Sequence, residues 1–169
     1  MLAAAVRVGI RTMSSSAAEA RLAALGLSLP PPARPVASYV MATRVGNMLY
    51  TSGHLPQPGG GAPLIVGKVG AELTPEQGAA AAQVVALNIL ATVKAELGSL
   101  ERVARVVKLT GFVNCVDGFA GQPAVVNGAS NLFKEVLGEK GVHARSAVGT
   151  NALPLNVPVE IEAIIEIAA

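Results

Sequence analysis

The last stretch of the chain has the clearest pattern. From Val159 to Ile167, Val159, Ile161, Ala163, Ile165 and Ile167 alternate with Glu160, Glu162, Ile164 and Glu166. A period of two predicts a strand with one buried face and one face carrying carboxylates. Residues 103–115, rich in valine, and 144–150 read as two further strands. Residues 38–43 and 48–52 predict a hairpin around Gly46-Asn47. Two segments repeat at helical spacing instead. In residues 74–97, Ala82, Ala86, Ile89, Leu90, Val93 and Leu97 fall on one stripe. Thr74 is the expected N-cap, Pro75 the first helical residue and Gln77 the other half of a capping box, with Gly98 as the stop. In residues 122–137 the stripe is Val125, Ala129, Leu132, Phe133 and Val136, ended by Gly138.

The order strand, strand, helix, strand, helix, strand, strand predicts an α+β fold: a mixed β-sheet with two main helices on one face. Valines and isoleucines also fall on the other sheet face. No residues remain to cover it, so self-association is expected. Upstream, Ser16 and Glu19 form a capping box for a short helix over 16–26. Pro30, Pro31, Pro32 and Pro35 then make a stiff linker. This divides the chain into an extension (1–14), a helix and Pro-rich linker (15–35) and the main domain (36–169). The extension has Arg7 and Arg11, small and apolar residues between them, and no acid. It resembles an organelle transit peptide more than a secretory signal, with an upstream start codon before Met13 as the alternative. A mitochondrial location is the expectation, with plastid or cytoplasm as alternatives.

Composition narrows the chemistry. Hydrophobic residues are 51% of the 169 and charged residues 14%, which excludes intrinsic disorder. Without Arg7 and Arg11, eleven basic residues face eleven acidic ones, and aromatics are 3%. Neither a phosphate-binding stripe nor a base-stacking platform is expected, which argues against a nucleic-acid partner. Cys115 is the only cysteine, so no intramolecular disulfide forms. With only His54, His143 and Asp117 besides, a dedicated metal site is not expected. No apolar run reaches the ~18 residues of a membrane span. The glycines of residues 56–63, PQPGGGAP, lack the Gly-Lys-Ser/Thr of a phosphate-cradling loop.

A short list of candidates remains. Glu160 is either part of a solvated strand face or a carboxylate at an interface pocket, able to orient water or accept a proton. Glu162 and Glu166 share its parity. Arg145 sits in a nearly uncharged run, where its planar fork suits a carboxylate ligand. The structural alternative is a pair with Glu160 or Glu162. Gly53 lets a ligand approach the backbone closely. Ser52 with a histidine base would be a nucleophile, although no nucleophile elbow surrounds it. His54 and His143 read as polar neighbours. Asn127 and Asn131 either line a site or face solvent, Tyr39 covers a pocket or packs in the core, and Cys115 reads as a buried structural thiol.

At these residues the sequence resembles the RidA/YjgF family. The carrying stretches are Gly46-Asn47-Met48-Leu49-Tyr50-Thr51-Ser52-Gly53, Gly111-Phe112-Val113-Asn114, Val126-Asn127-Gly128-Ala129-Ser130, Ala144-Arg145-Ser146-Ala147-Val148, Leu153-Pro154 and Val159-Glu160-Ile161-Glu162-Ala163. The wording of the Asn127 and Arg145 stretches points to a branch distinct from the best-studied enamine deaminases. The resemblance implies a chorismate-mutase-like fold and a homotrimer with clefts between subunits. It implies hydrolysis of reactive enamines and imines, such as 2-aminoacrylate, to 2-keto acids and ammonia, without metal or organic cofactor. The family's carboxylate-binding arginine falls on Arg145 and its water-orienting glutamate on Glu160. Its pocket tyrosine matches Tyr39, its strand-end Ser-Gly Ser52 and Gly53, and its helix asparagine Asn127. His54 stands where relatives often have Gln, and Ala147 where they often have Cys; the backbone of Ala147 still offers its groups to a substrate. Two rival readings stand beside the imine hydrolase. One is a trimer that binds a small carboxylate metabolite without turning it over. The other is an endoribonuclease or translation inhibitor.

Overall fold

The computed structural model describes residues 17–35 and 37–168. The extension 1–14 and the Ser16 cap lie outside them. Five strands form one mixed sheet: β1 (Ala42–Val45), β2 (Met48–Thr51), β3 (Val103–Asn114), β4 (Ala144–Thr150) and β5 (Val159–Ile167), in the spatial order β1-β2-β5-β3-β4. Only β3 and β4 run parallel. They are joined by α3 (Gln122–Leu137), the crossover helix such a pair requires. α2 (Pro75–Leu97) lies beside α3 on the same sheet face, and α1 (Ala17–Ala24) packs Ala18 and Leu22 into the core.

α2 begins as its sequence dictates: Thr74 Oγ1 accepts the Gln77 backbone N–H while Gln77 Oε1 accepts that of Thr74. Gly98, at φ 80°, closes it. α2 does contain an 18-residue window of mean hydropathy 1.4, long and apolar enough to cross a membrane by length and composition. Val85, Ile89, Leu90 and Val93 of this helix are instead fully buried in the fold.

The first strand differs from expectation. β1 starts at Ala42 rather than residue 38 and runs to Val45, because the two-residue Gly46-Asn47 turn pairs Val45 directly with Met48. Residues 38–41 are left off the sheet and turn toward the linker. β3 ends at Asn114, and Cys115 instead makes an isolated bridge to Val69.

The two helices meet without side chains between them at one point. A Cβ built on Gly128 would fall on the backbone of Ala79 in α2. Gly128→Ala is therefore expected to push α3 off α2 and destabilise by about 1–3 kcal/mol. Thermal melts should drop by roughly 2–12 °C. An unchanged melt would mean that the helices do not approach this closely.

The opposite sheet face has no covering layer among the described residues. Val45, Tyr50 and Val148 are exposed on it beside Glu160 and Glu162.

Candidate functional site

β-sheet register divides the expected site residues into two groups. Arg145 pairs with Leu109, and Leu109 with Ala163, so all three point to the helix face. Glu160 pairs with Phe112, which pairs with Val148 on the open face. Arg145 and Glu160 are thus on opposite faces, two strands and three residues apart. That is about 10 Å in each direction at ordinary strand spacing. The pairing of Arg145 with Glu160 or Glu162 considered from sequence does not occur within the chain.

On the helix side, Arg145 is held by neutral acceptors of α3. Nη1 donates to Asn127 Oδ1 at 2.8 Å and to Ser130 Oγ at 3.0 Å; Nη2 donates to the Pro123 carbonyl at 3.3 Å. His143 completes the arrangement. Its Nδ1 faces the Gly141 carbonyl at 2.6 Å, which places the proton there and leaves Nε2 to accept from the Ser130 hydroxyl at 3.0 Å. Burial is the main cause of a lowered His143 pKa, with the Arg145 charge adding to it and the Gly141 carbonyl opposing. The neutral ring stacks edge-on to Phe133, 6.1 Å between centroids. No carboxylate pairs with Arg145: the two salt bridges among the described residues are Lys94–Glu19 and Arg105–Glu166. Ala147 follows on the same face, packed against the core.

On the other side, Glu160 lies over Gly53. A Cβ on Gly53 would overlap the Glu160 carboxylate, so only glycine leaves room for it. The half-buried carboxyl has no hydrogen bond or cation among the described residues. Burial, and then the charge of Glu162, raises its pKa above the ordinary 4.5. The native chain therefore binds this proton more tightly than the unfolded chain, and ionised Glu160 costs stability as pH rises from about 4.5. Glu160→Gln is expected to raise the melting temperature near neutral pH, with the gain vanishing below the ordinary carboxyl pKa. Melts at about pH 7 and about pH 4 would check this, and an equal gain at both would contradict it.

Tyr39 and Gly53 share a cavity of about 430 Å³ beside Glu160's seat, between the Pro-rich linker and the 55–64 loop. The Ser52 hydroxyl is spent on the Val40 carbonyl at 2.6 Å. His54 touches Ser52 only at its carbonyl, through Nδ1 at 2.8 Å, and its Nε2 meets Thr92 Oγ1 in the core. No Ser52–His54 nucleophile is assembled. Burial lowers the His54 pKa, against the Ser52 carbonyl. Cys115 is buried, as expected, and Asn131 is exposed on α3 and is not among the hydrogen-bond partners of Arg145.

Ser130 and His143 were not singled out as partners of Arg145 from the sequence. The signal was present: Ser130 lies three residues after Asn127 on the helix, and His143 two before Arg145 on the strand.

Comparison with known proteins agrees with this architecture. The family model described as "YjgF/chorismate mutase-like, putative endoribonuclease" matches residues 19–166. The chain belongs to the RidA/YjgF family. Trypanosoma cruzi protein TCP17 is 43% identical over 156 residues, covering 92% of this chain and 97% of its own. The crystal structure of Atu1372 from Agrobacterium tumefaciens is 49% identical and superposes with a TM-score of 0.83, covering 89% of this chain and 92% of that one. RidA from an Antarctic Psychrobacter is more distant in shape: 33% identity, TM-score 0.56, 80% of this chain and 93% of that one. Within one chain of this RidA/YjgF protein, the Arg145 cradle and the Glu160–Gly53 seat lie on opposite faces of the sheet.

Proposed function

We propose that this RidA/YjgF protein hydrolyses 2-imino acids, and the enamines that tautomerise to them, to 2-keto acids and ammonia. The site forms between copies of the chain, with Arg145 from one copy facing Gly53 and Glu160 of the next in a homotrimer. The observation that carries this reading is a guanidinium fixed by three neutral acceptors, with no carboxylate paired to it among the described residues. Such a fork is pre-organised for a substrate carboxylate.

With the carboxylate clamped, the iminium carbon lies toward Glu160. Ionised Glu160 takes a proton from water as the water oxygen bonds to that carbon. The protonated carboxyl then returns the proton to nitrogen, the C–N bond breaks with its electron pair leaving on ammonia, and the hydroxyl oxygen becomes the keto oxygen as its proton passes through the Glu160 carboxylate to that ammonia. One iminium and one water become one keto acid and one ammonium. A raised Glu160 pKa suits both halves of this exchange near neutral pH. The balanced charge and scarcity of aromatics favour this small-molecule reading over RNA cleavage.

The test is turnover of 2-aminoacrylate generated in situ from serine by a dehydratase. Pyruvate release faster than the buffer rate is expected. No acceleration with any 2-imino acid would sink the reading, and tight binding of 2-keto acids without turnover would establish the metabolite-binding alternative. Sedimentation should give three chains per particle.

A further inference from the structure

We propose that the cavity beside Gly53 receives the substrate's side chain, and that the preferred substrates are 2-imino acids with large apolar side chains. This rests on the imine-hydrolase reading above. Gly53 belongs to both features: it seats the Glu160 carboxylate and forms part of the cavity wall. A reacting carbon held at Glu160 thus has the cavity next to it.

The walls are mostly hydrocarbon, with Pro30 and Pro31 from the linker, then Met41, Leu55, Leu64 and Leu155. Its volume of about 430 Å³ is within the range of small-molecule pockets. 2-Aminoacrylate has six non-hydrogen atoms. At a water-like volume of about 30 Å³ each, it would occupy roughly 180 Å³, under half the space, even if none of it lay at the clamp. An apolar side chain fills what remains and removes its own surface from water.

The cavity is braced. Asn88 of α2, only 5% exposed, donates to the Leu55 and Gln57 carbonyls, both at 2.9 Å, and so fixes one wall to the core. The linker closes on the loop at Gly59, where a Cβ would stand 3.0 Å from Pro30 Cβ. Arg34 and Gln57 are exposed, and Gln57 spends its amide on the Ala62 carbonyl. At the rim the backbone is strained. Leu155 and Asn156 have φ of 57° and 56°, a left-handed conformation costly for a leucine. Asn156 is tied down by the Gly67 N–H at 2.7 Å and by Asn114 Nδ2 at 3.1 Å. The result is a leucine 70% exposed at the cavity. Strain kept in place to expose an apolar side chain marks a binding rim.

Calorimetry with pyruvate and 4-methyl-2-oxopentanoate, the products from small and large imines, tests the cavity without requiring turnover. The full chain is expected to bind the larger acid about tenfold or more tightly. Leu64→Trp and Ala33→Trp, which fill the cavity from two sides, should each reduce that preference. The ratio of kcat/KM for imines made in situ from leucine and alanine should fall in parallel. Equal affinities in the unmodified protein, or a preference that survives both substitutions, would overturn the assignment. A size preference in binding with no turnover would leave the cavity assigned and the hydrolase reading refuted; turnover with no size preference would do the reverse.

Discussion

Replacing Arg145 by alanine is expected to cut imine hydrolysis severely while the assembly persists. Losing one partner of a desolvated charge pair costs about 2–5 kcal/mol. On kcat/KM that is roughly 30- to 5,000-fold. The fold should tolerate the change, because the guanidinium is half-buried on an edge strand and bonds only to neutral groups of α3. Asn127→Ala and Ser130→Ala remove one acceptor each and leave the charge in place. Their effect should be milder and fall on KM, since they loosen the fork rather than delete it. The assay is 2-aminoacrylate turnover beside sedimentation of each variant. Normal turnover by an intact Arg145→Ala assembly would remove the clamp from the mechanism.

Glu160→Gln should lower kcat by about 10²–10⁴-fold, the usual worth of a positioned acid–base group. The same substitution is expected to stabilise the chain at neutral pH, so lost activity and raised stability should appear together. A variant that lost both would point to a structural role instead. Gly53→Ala offers an independent approach to the same carboxylate. Its Cβ would displace Glu160, whose Cδ and Cγ stand 2.8 and 2.9 Å from that position. The carboxylate is a flexible side-chain end, so it can move aside without unfolding the sheet. Activity should fall in the folded protein, and the raised pKa of Glu160 should relax toward the ordinary value as the carboxyl shifts. Carboxyl titration by NMR would report it.

Local rules made much of the architecture readable. The bounds of α3, β4 and β5 coincide with the expected ones, and α2 differs only in that its cap residue is not counted. Each is set by short-range chemistry: a capping box at Thr74, stopping glycines at Gly98 and Gly138, and strict alternation from Val159 onward. β1 was misplaced because strand propensity in residues 38–41 yields to the pairing that a two-residue turn imposes. Gly128 gave no local sign of its role, since its need for a bare backbone comes from Ala79, 49 positions earlier.

By itself the sequence determined the element order, the uncovered sheet face, and the residue types available for chemistry, with Arg145 and Glu160 foremost. Periodicity and composition are local quantities, and they survive being read one residue at a time. Only the tertiary structure decided that Arg145 and Glu160 point to opposite sides of the sheet. That depends on which strand pairs with which, and in which register. The same holds for Ser130 and His143 behind the guanidinium, Gly53 beneath the carboxylate, and the cavity closed by a linker more than twenty residues upstream. All are contacts between segments distant in the chain, fixed when the core packs rather than when its helices and strands are specified.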